Sequence, residues 1–230
     1  NRQWLKVSKE CYDILIKCSG KYSVQEIMAM LADDEDRDYL KSVLAALSEM
    51  KLLGKSPIRK LHDVSFAISN RCNLKCKHCM VNADSCGEKE FFTTEEIKQA
   101  LKKIIAAKPE NITVTGGEPL VRKDFLEIIM YLRENFDGTI GLMTNATLLN
   151  RKNVDVIVSC VNNISISLDG ANEETVSLIR GANVFKQVLD AIDLLHEKEF
   201  KDISISMVVT ADNDLYVDEF FELCKKYECK

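Results

Sequence analysis

The sequence predicts an α/β fold: a partial (β/α) barrel over residues 58–230, preceded by a small winged-helix-like unit over 1–57. Two observations carry the barrel. From residue 63 onward, short alternating apolar runs trade places with helical stripes, which implies right-handed βαβ units and a parallel sheet. The roughly 170 residues available fall short of the about 250 typical of a closed eight-stranded barrel. A third observation carries the front unit, where three short amphipathic stripes end at an apolar Leu52–Leu53–Gly54 corner.

In the front unit, Cys11, Ile14, Leu15 and Cys18 recur at helical spacing up to Gly20. Val24, Ile27, Met28 and Leu31 repeat the stripe behind a predicted Ser23 N-cap. Leu40, Val43, Leu44 and Leu47 repeat it again, and Ser56–Pro57 reads as a linker. Beyond it, Val64, Phe66 and Ile68 alternate with Ser65, Ala67 and Ser69 as a first strand. Thr93 and Glu96 predict a capping box for the helix bearing Ile97, Leu101, Ile104 and Ile105. Residues 111–115 form a second strand, and Phe125, Ile128, Ile129 and Leu132 mark the next helix. A third strand spans 139–143, with a short apolar segment near 148–158. Ile164, Ile166 and Leu168 give a fourth strand, followed by a helix with Val184, Val188, Leu189, Ile192 and Leu195. Ile203, Ile205, Met207 and Val209 read as a fifth strand, and Val217, Phe220, Phe221 and Cys224 as a last helix.

Composition narrows the function classes. The 230 residues carry a net charge of −5, with 46% apolar and 29% charged residues. That is ample apolar material for a core, which argues against disorder, while the mild acidity argues against a general nucleic-acid binder. No apolar run approaches the about 18–20 residues of a membrane span. Asn1 to Lys6 has no initiator Met and no signal-peptide pattern, and is expected to be the cut end of a longer chain. Nine cysteines without an export signal are a poor disulfide framework. They point to a reducing, cytoplasmic compartment and to metal binding.

Each unusual polar motif follows a predicted strand. Arg71 to Cys79 (RCNLKCKHC) follows the first, Gly116–Gly117–Glu118–Pro119 the second, Thr144–Asn145 the third, and Ser167–Asp169–Gly170 ends the fourth. The C-terminal ends of parallel strands share one face, so these motifs are expected to converge on one pocket. The spacing C-x3-C-x2-C lets Cys72, Cys76 and Cys79 curl round one small object. With His78 they supply the donor types of a Cys3His zinc site, although zinc more often pairs two C-x2-C knuckles. Three thiolates on an iron–sulfur cubane leave one iron open to an exogenous ligand. Residue chemistry alone leaves both readings open.

RCNLKCKHC at 71–79, GGEP at 116–119 and SLDG at 167–170, in that order, resemble the radical S-adenosylmethionine (SAM) superfamily over residues 62–230. The resemblance implies a partial barrel of the radical SAM type in which Cys72, Cys76 and Cys79 hold a [4Fe–4S] cluster. The open iron binds SAM, and a reductant such as flavodoxin or ferredoxin supplies the electron that cleaves SAM to a 5′-deoxyadenosyl radical. Gly116 and Gly117 match glycines that let the backbone approach the methionine amino group, with Glu118 accepting from the ammonium or shaping the turn that Pro119 fixes. His78 stands where an aromatic residue usually lies near the adenine; a loop histidine contributing only backbone is the plainer alternative. Asn145 lies in a T-N-A stretch where the family more often has T-N-G. Ser167 and Asp169 match positions that reach the ribose hydroxyls, although Asp169 also suits a turn cap with Gly170. Arg180 resembles an arginine that reaches the SAM carboxylate, with a solvated surface arginine as the alternative. No residue is assigned as catalytic in its own right. Cys86 reads as a spare thiol, and Cys11, Cys18, Cys160 and Cys224 as core residues.

Residues 1–55 hold nine Lys or Arg and nine Asp or Glu, which disfavours a DNA-binding winged helix. Their layout, SKECYDIL, GKYSVQEI and LSEMKLLG, is similar to PqqD-like peptide-recognition domains, whose hairpin would precede Asn1. The combination resembles PqqD-like-domain-fused, SPASM-type peptide maturases. It implies a leader peptide bound by strand addition and hydrogen abstraction from a ribosomal precursor peptide, giving a thioether or carbon–carbon crosslink or an epimerised residue. It further implies auxiliary clusters in a C-terminal region beyond residue 230. The alternatives are a radical SAM maturase of a protein active site or tetrapyrrole-type cofactor, and a non-catalytic, zinc-stapled winged-helix adaptor.

Overall fold

The structure is a computed structural model that describes residues 6–16, 22–50, 61–83 and 89–230. The chain divides into two compact units, Asn1–Arg59 and Lys60–Lys230. Cys18, Gly20, the Leu52–Gly54 corner, the Ser56–Pro57 linker and Cys86 lie outside the described residues.

In the first unit, α1 (Lys9–Leu15), α2 (Val24–Ala29) and α3 (Asp34–Glu49) are N-capped by Ser8, Ser23 and Asp33, each accepting from a backbone N–H three residues on. Ser23 and Glu26 complete a reciprocal capping box. Cys11, Ile27, Leu31, Leu40 and Val43 form the core. Arg37 closes the end of α2 by donating to the carbonyls of Met28 and Leu31 at 3.4 and 2.9 Å.

The second unit runs β1 (Asp63–Ser69), α4 (Thr94–Ala106), β2 (Asn111–Gly116), α5 (Phe125–Asn135), β3 (Thr139–Thr144) and α6 (Val154–Cys160). It continues with β4 (Asn163–Ser167), α7 (Glu173–Arg180), α8 (Phe185–Glu197), β5 (Ile203–Ser206) and α9 (Val217–Lys226). The five strands are all parallel and ordered β1-β2-β3-β4-β5. This is the partial barrel that the alternation of strands and helices predicts. Thr93 and Glu96 form the expected capping box on α4. Cys160 and Cys224 are buried, as their apolar patterns require.

Alternation sorts the strand residues. Ile112, Val114, Ile140, Leu142, Ile164 and Ile166 are fully buried and share one core with Leu101, Ile128, Ile129, Leu132, Ile157, Ile192 and Leu195 of the helices. The opposite sheet face carries Ser65, Ala67, Thr113, Thr115, Gly141, Ser165 and Ser204, with Met143 as its one large apolar residue. Apart from Met143 those residues are small and mostly hydroxylated, unlike the bulky branched side chains that fill a closed barrel. The inner face therefore stays open and polar.

Two elements differ from the sequence reading. The helix α7 was not anticipated, because eight residues give too short a stripe. Its signals are the Asn172 N-cap, Glu173 and Glu174 in the first turn, and Gly181 at the stop. The strand β5 ends at Ser206 rather than running through Met207 and Val209. There the Val208 amide leaves the ladder and donates to Asp169 Oδ1 at 2.9 Å. The apolar segment near 148–158 becomes α6, with Val154, Ile157 and Cys160 buried.

Candidate active site

The site is built on the C-terminal ends of β1 to β4. The register of β1 slips between Ala67 and Ser69, which re-aims the chain as it leaves the sheet. Past the strands, the Gly117 amide donates to Ser69 O at 2.9 Å and the Glu118 amide to Arg71 O at 2.7 Å. The GGE run thus clasps the start of the cysteine loop. A Cβ on Gly116, whose φ is 153°, would overlap Ser69 O, and one on Gly117 would overlap Arg71 O and stand 2.8 Å from the Ala83 Cβ. The loop's own backbone already demands both glycines, before any ligand approaches.

Cys72, Cys76, His78 and Cys79 line a cleft of about 380 Å³ with Gly116, Gly117, Asn145, Ser167 and Arg180. That volume lies in the range of small-ligand sites. Burial pushes the Cys72 thiol up, with the Glu118 and Cys79 charges adding to it; burial also raises Cys76, against the pull of the Arg180 charge. Among the described residues, no three His, Cys, Asp or Glu side chains are arranged to hold a single metal ion. His78 Nε2 instead faces Asp169 Oδ2 at 3.5 Å. His78 is thus turned toward Asp169.

Glu118, Pro119 and Asp169 are buried behind the cleft rather than on its wall. Glu118 Oε1 accepts from Thr144 Oγ1 at 2.7 Å and Leu120 N at 3.0 Å, and Oε2 accepts from Asn145 N at 2.6 Å. It straps β2 to β3. Asp169 pairs with Arg180, Nη2 to Oδ2 2.7 Å. The pair is held by charge, because Asp169 Oδ2 lacks hydrogen-bond geometry to any donor, as does Arg180 Nε to any acceptor. Arg180 is 5% exposed, so it is no surface arginine. In the T-N-A stretch Ala146 takes a φ of 58°, a left-handed conformation that glycine adopts without strain and alanine does not.

Several residues at the site were not singled out in the sequence. Asn145 Nδ2 donates to Asn73 Oδ1 at 3.0 Å, and Asn73 Nδ2 to Thr147 Oγ1 at 2.8 Å. Glu90 accepts from Ser69 Oγ and Arg71, pinning the loop entrance. Buried Arg122 donates to Ile68 O and Phe92 O and forks onto Asp124, Nε–Oδ1 2.9 Å and Nη2–Oδ2 2.7 Å. An arginine two residues before an aspartate, just after GGEP, is the signal that could have found this fork.

Burial by itself would raise Asp124, but hydrogen bonds from Arg122 and Thr94, with the Arg122 charge, outweigh it and hold the carboxyl low. A depressed carboxyl stabilises the fold fully above its unfolded value, near about 4, and that stability is lost as pH falls through the folded value. Asp124→Asn is expected to unfold in urea with a shallower acid dependence below about pH 4. Equal acid slopes in the two proteins would count against the fork.

An open parallel sheet with three loop thiols at its C-terminal mouth defines a cofactor-using barrel enzyme. The Radical SAM superfamily model matches residues 66–224, and the chain belongs to that superfamily. The chain is 30% identical to a GTP 3′,8-cyclase of Synechocystis over 192 residues, 83% of this chain and 58% of the relative. It is 29% identical to the mycofactocin maturase MftC of Mycolicibacterium smegmatis over 164 residues, 71% and 42% of the two. It thus spans about half the length of these curated relatives. The fold is similar to SuiB of Streptococcus suis bound to S-adenosylmethionine, with a TM-score of 0.66 at 15% identity, covering 95% of this chain and 50% of SuiB. SuiB bound to its precursor peptide SuiA matches with a TM-score of 0.63 at 16% identity, over 96% and 48% of the chains.

Membership implies a [4Fe–4S] cluster and SAM. The residues present fit both. Three thiols on one loop face a single cleft, and Arg180, with a buried Nε free of hydrogen bonds, lines the same cleft and suits a carboxylate. The reading as a non-catalytic zinc adaptor falls with this membership. Among the described residues, no helix is long and apolar enough to cross a membrane.

Proposed function

We propose that this chain is the SAM-cleaving portion of a peptide maturase acting on a ribosomal precursor. Cys72, Cys76 and Cys79 hold the cluster, and His78, Gly116, Gly117, Asn145, Ser167 and Arg180 receive SAM. Glu118, Pro119 and Asp169 shape that site from behind. When bound, the two cofactors supply an electron and a hydrogen-abstracting 5′-deoxyadenosyl radical. The chain's own residues do the rest. Arg180 fixes an anionic group, and the GGE run sets the height of the cysteine loop. Residues 1–57 act as the PqqD-like leader-binding unit and 58–230 as the catalytic barrel, with a flavodoxin- or ferredoxin-type donor, in the cytoplasm.

The observation that carries the peptide reading is the charge of the cleft. Among the described residues lining it, Arg180 is the one cation, and Asp169 already pairs with it. A triphosphate seeks several charged or forked donors, and this lining offers the single Arg180. The rim instead exposes Met80 (98%), Val81 (61%) and Val208 (49%), which suit an uncharged chain. Solved neighbours with bound peptides, SuiB with SuiA and anSMEcpe with the Kp18Cys peptide, support the same substrate class. The match to GTP 3′,8-cyclase supports a second reading, a nucleotide substrate.

Low-temperature EPR on anaerobically reconstituted, dithionite-reduced protein tests the cofactor reading. A [4Fe–4S]⁺ signal that shifts on adding SAM is expected; zinc uptake, or a signal indifferent to SAM, overturns it. Precursor peptide is then expected to stimulate 5′-deoxyadenosine release where GTP does not. The reverse result selects the nucleotide reading.

A further inference from the structure

The loop after β5 holds a fully buried asparagine that no motif singled out. Asn213 is 0% exposed. Its Nδ2 donates to Asp169 O and to Val208 O, both at 3.0 Å, and its Oδ1 accepts from Thr210 N at 2.7 Å and Thr210 Oγ1 at 3.3 Å. Both donors and both lone pairs are used, so the amide has one orientation. Asp169 answers from the other side: its Oδ1 accepts from Val208 N at 2.9 Å. The turn after β4 and the loop after β5 are thereby tied by backbone and side chain at once.

Asp169 has a second duty. Its Oδ2 lies 2.7 Å from Arg180 Nη2 and 3.5 Å from His78 Nε2. The Arg180–Asp169 pair is buried but not aligned as a hydrogen bond, and Arg180 Nε has no partner. Charge alone sets a distance, not an angle. The direction in which Arg180 presents its free donors to the cleft therefore depends on where Asp169 is held. The Val208 amide and the Asn213 side chain both hold it, and Asn213 also ties down Val208 through its carbonyl.

We propose that Asn213 is a positioning residue for the cofactor cleft: by locking Asp169 to the Val208–Asn213 loop it sets the orientation of Arg180 toward an anionic group of the bound cofactor. The inference rests on the SAM reading above but not on the identity of the substrate. It predicts that the 207–213 loop and the cofactor are energetically linked, although Val208 is the only residue of that loop on the cleft wall among the described residues.

Asn213→Asp tests it, because it keeps shape and the acceptor toward Thr210 while placing an acceptor against Asp169 O and Val208 O. The full chain is reconstituted anaerobically, and SAM is titrated by the EPR shift of the reduced cluster. The variant is expected to show the wild-type cluster signal without SAM but at least tenfold weaker SAM affinity. A folded variant with SAM affinity within twofold of wild type overturns the proposal. Hydrogen exchange on the wild type gives a second reading that needs no variant. Linkage is reciprocal, so SAM is expected to slow exchange of the Val208 and Asn213 amides, and unchanged exchange with SAM bound overturns the proposal even if Asn213→Asp fails to fold. A wild-type cluster indifferent to SAM brings down the cofactor reading and this inference together, an outcome distinct from either of the others.

Discussion

Gly116→Ala is expected to lower the unfolding free energy of the barrel by about 2–6 kcal/mol. The backbone there has a φ of 153°, and the new Cβ would overlap Ser69 O. The neighbour is backbone at the end of a paired strand, so it cannot rotate away as a side chain would. Overpacking a tight site costs about 1–3 kcal/mol, and a conformation reserved for glycine about as much again. Against a domain stability of about 5–15 kcal/mol, the loss is a large fraction. Because Ser69 leads directly into Arg71 and Cys72, the cysteine loop shifts with it, and iron uptake on reconstitution is expected to fall as well. Urea unfolding of the metal-free protein reads the first effect and iron per chain the second. Lys102→Ala, on the exposed side of α4, serves as the control and is expected to stay within about 0.5 kcal/mol of wild type. A Gly116→Ala protein as stable as that control would show that the clasp between β1 and β2 yields cheaply.

Glu118→Ala is expected to cost about 3–5 kcal/mol, because three donors lose their acceptor at once in a buried place. Thr144 Oγ1 can turn elsewhere, but the Leu120 and Asn145 amides cannot. Water entering the vacated space would trim the cost without removing it. Glu118→Gln is the sharper probe. Either orientation of its amide sets an N–H against a backbone N–H, at about 1–3 kcal/mol. Burial drives the Glu118 carboxyl above its ordinary range, and the hydrogen bonds from Asn145, Leu120 and Thr144, with the Arg180 charge, offset this only in part. For a raised carboxyl, the unfolded chain ionises first. Its contribution is therefore fully present below the unfolded value, near about 4.3, and is lost as pH rises through the folded value. The wild type is thus expected to lose stability over that rise, and Glu118→Gln to lack that part of the pH dependence. Parallel pH profiles in urea would refute the assignment.

The two residues also show what a motif conceals. Read along the chain, GGEP suggests backbone that approaches a ligand and a carboxylate that meets it. In the fold, both glycines are already required by the cysteine loop, and both Glu118 oxygens are occupied by β3. Asp169 and Arg180 follow the same course. Each stands in the sequence as a separate contact to a cofactor, and the structure joins them as a buried pair in which Arg180 lines the cleft and Asp169 lies behind it. A local pattern names the residue types at a turn but not their neighbours, because those partners lie 26 residues away for Thr144, 27 for Asn145 and 44 for Asn213.

By itself the sequence determined the parallel α/β architecture, the capping boxes at Ser23 and Thr93, and the three-thiol loop at the mouth of the barrel. Those features depend on periodicity of two or 3.6 residues and on short-range hydrogen bonds, which are written in neighbouring positions. The helix α7 and the early end of β5 escaped it, the first for want of length and the second because a side chain from β4's turn takes the Val208 amide. Only the tertiary structure decided that Glu118 and Asp169 face inward, that Arg122 reaches Ile68 O and Phe92 O, and that Asn213 closes the loop behind Arg180. Each of those arrangements satisfies a buried polar group with a partner distant in the chain or out of reach of the local pattern. The cost of leaving such a group unpaired is set by burial, and burial exists only once the sheet and its helices have assembled.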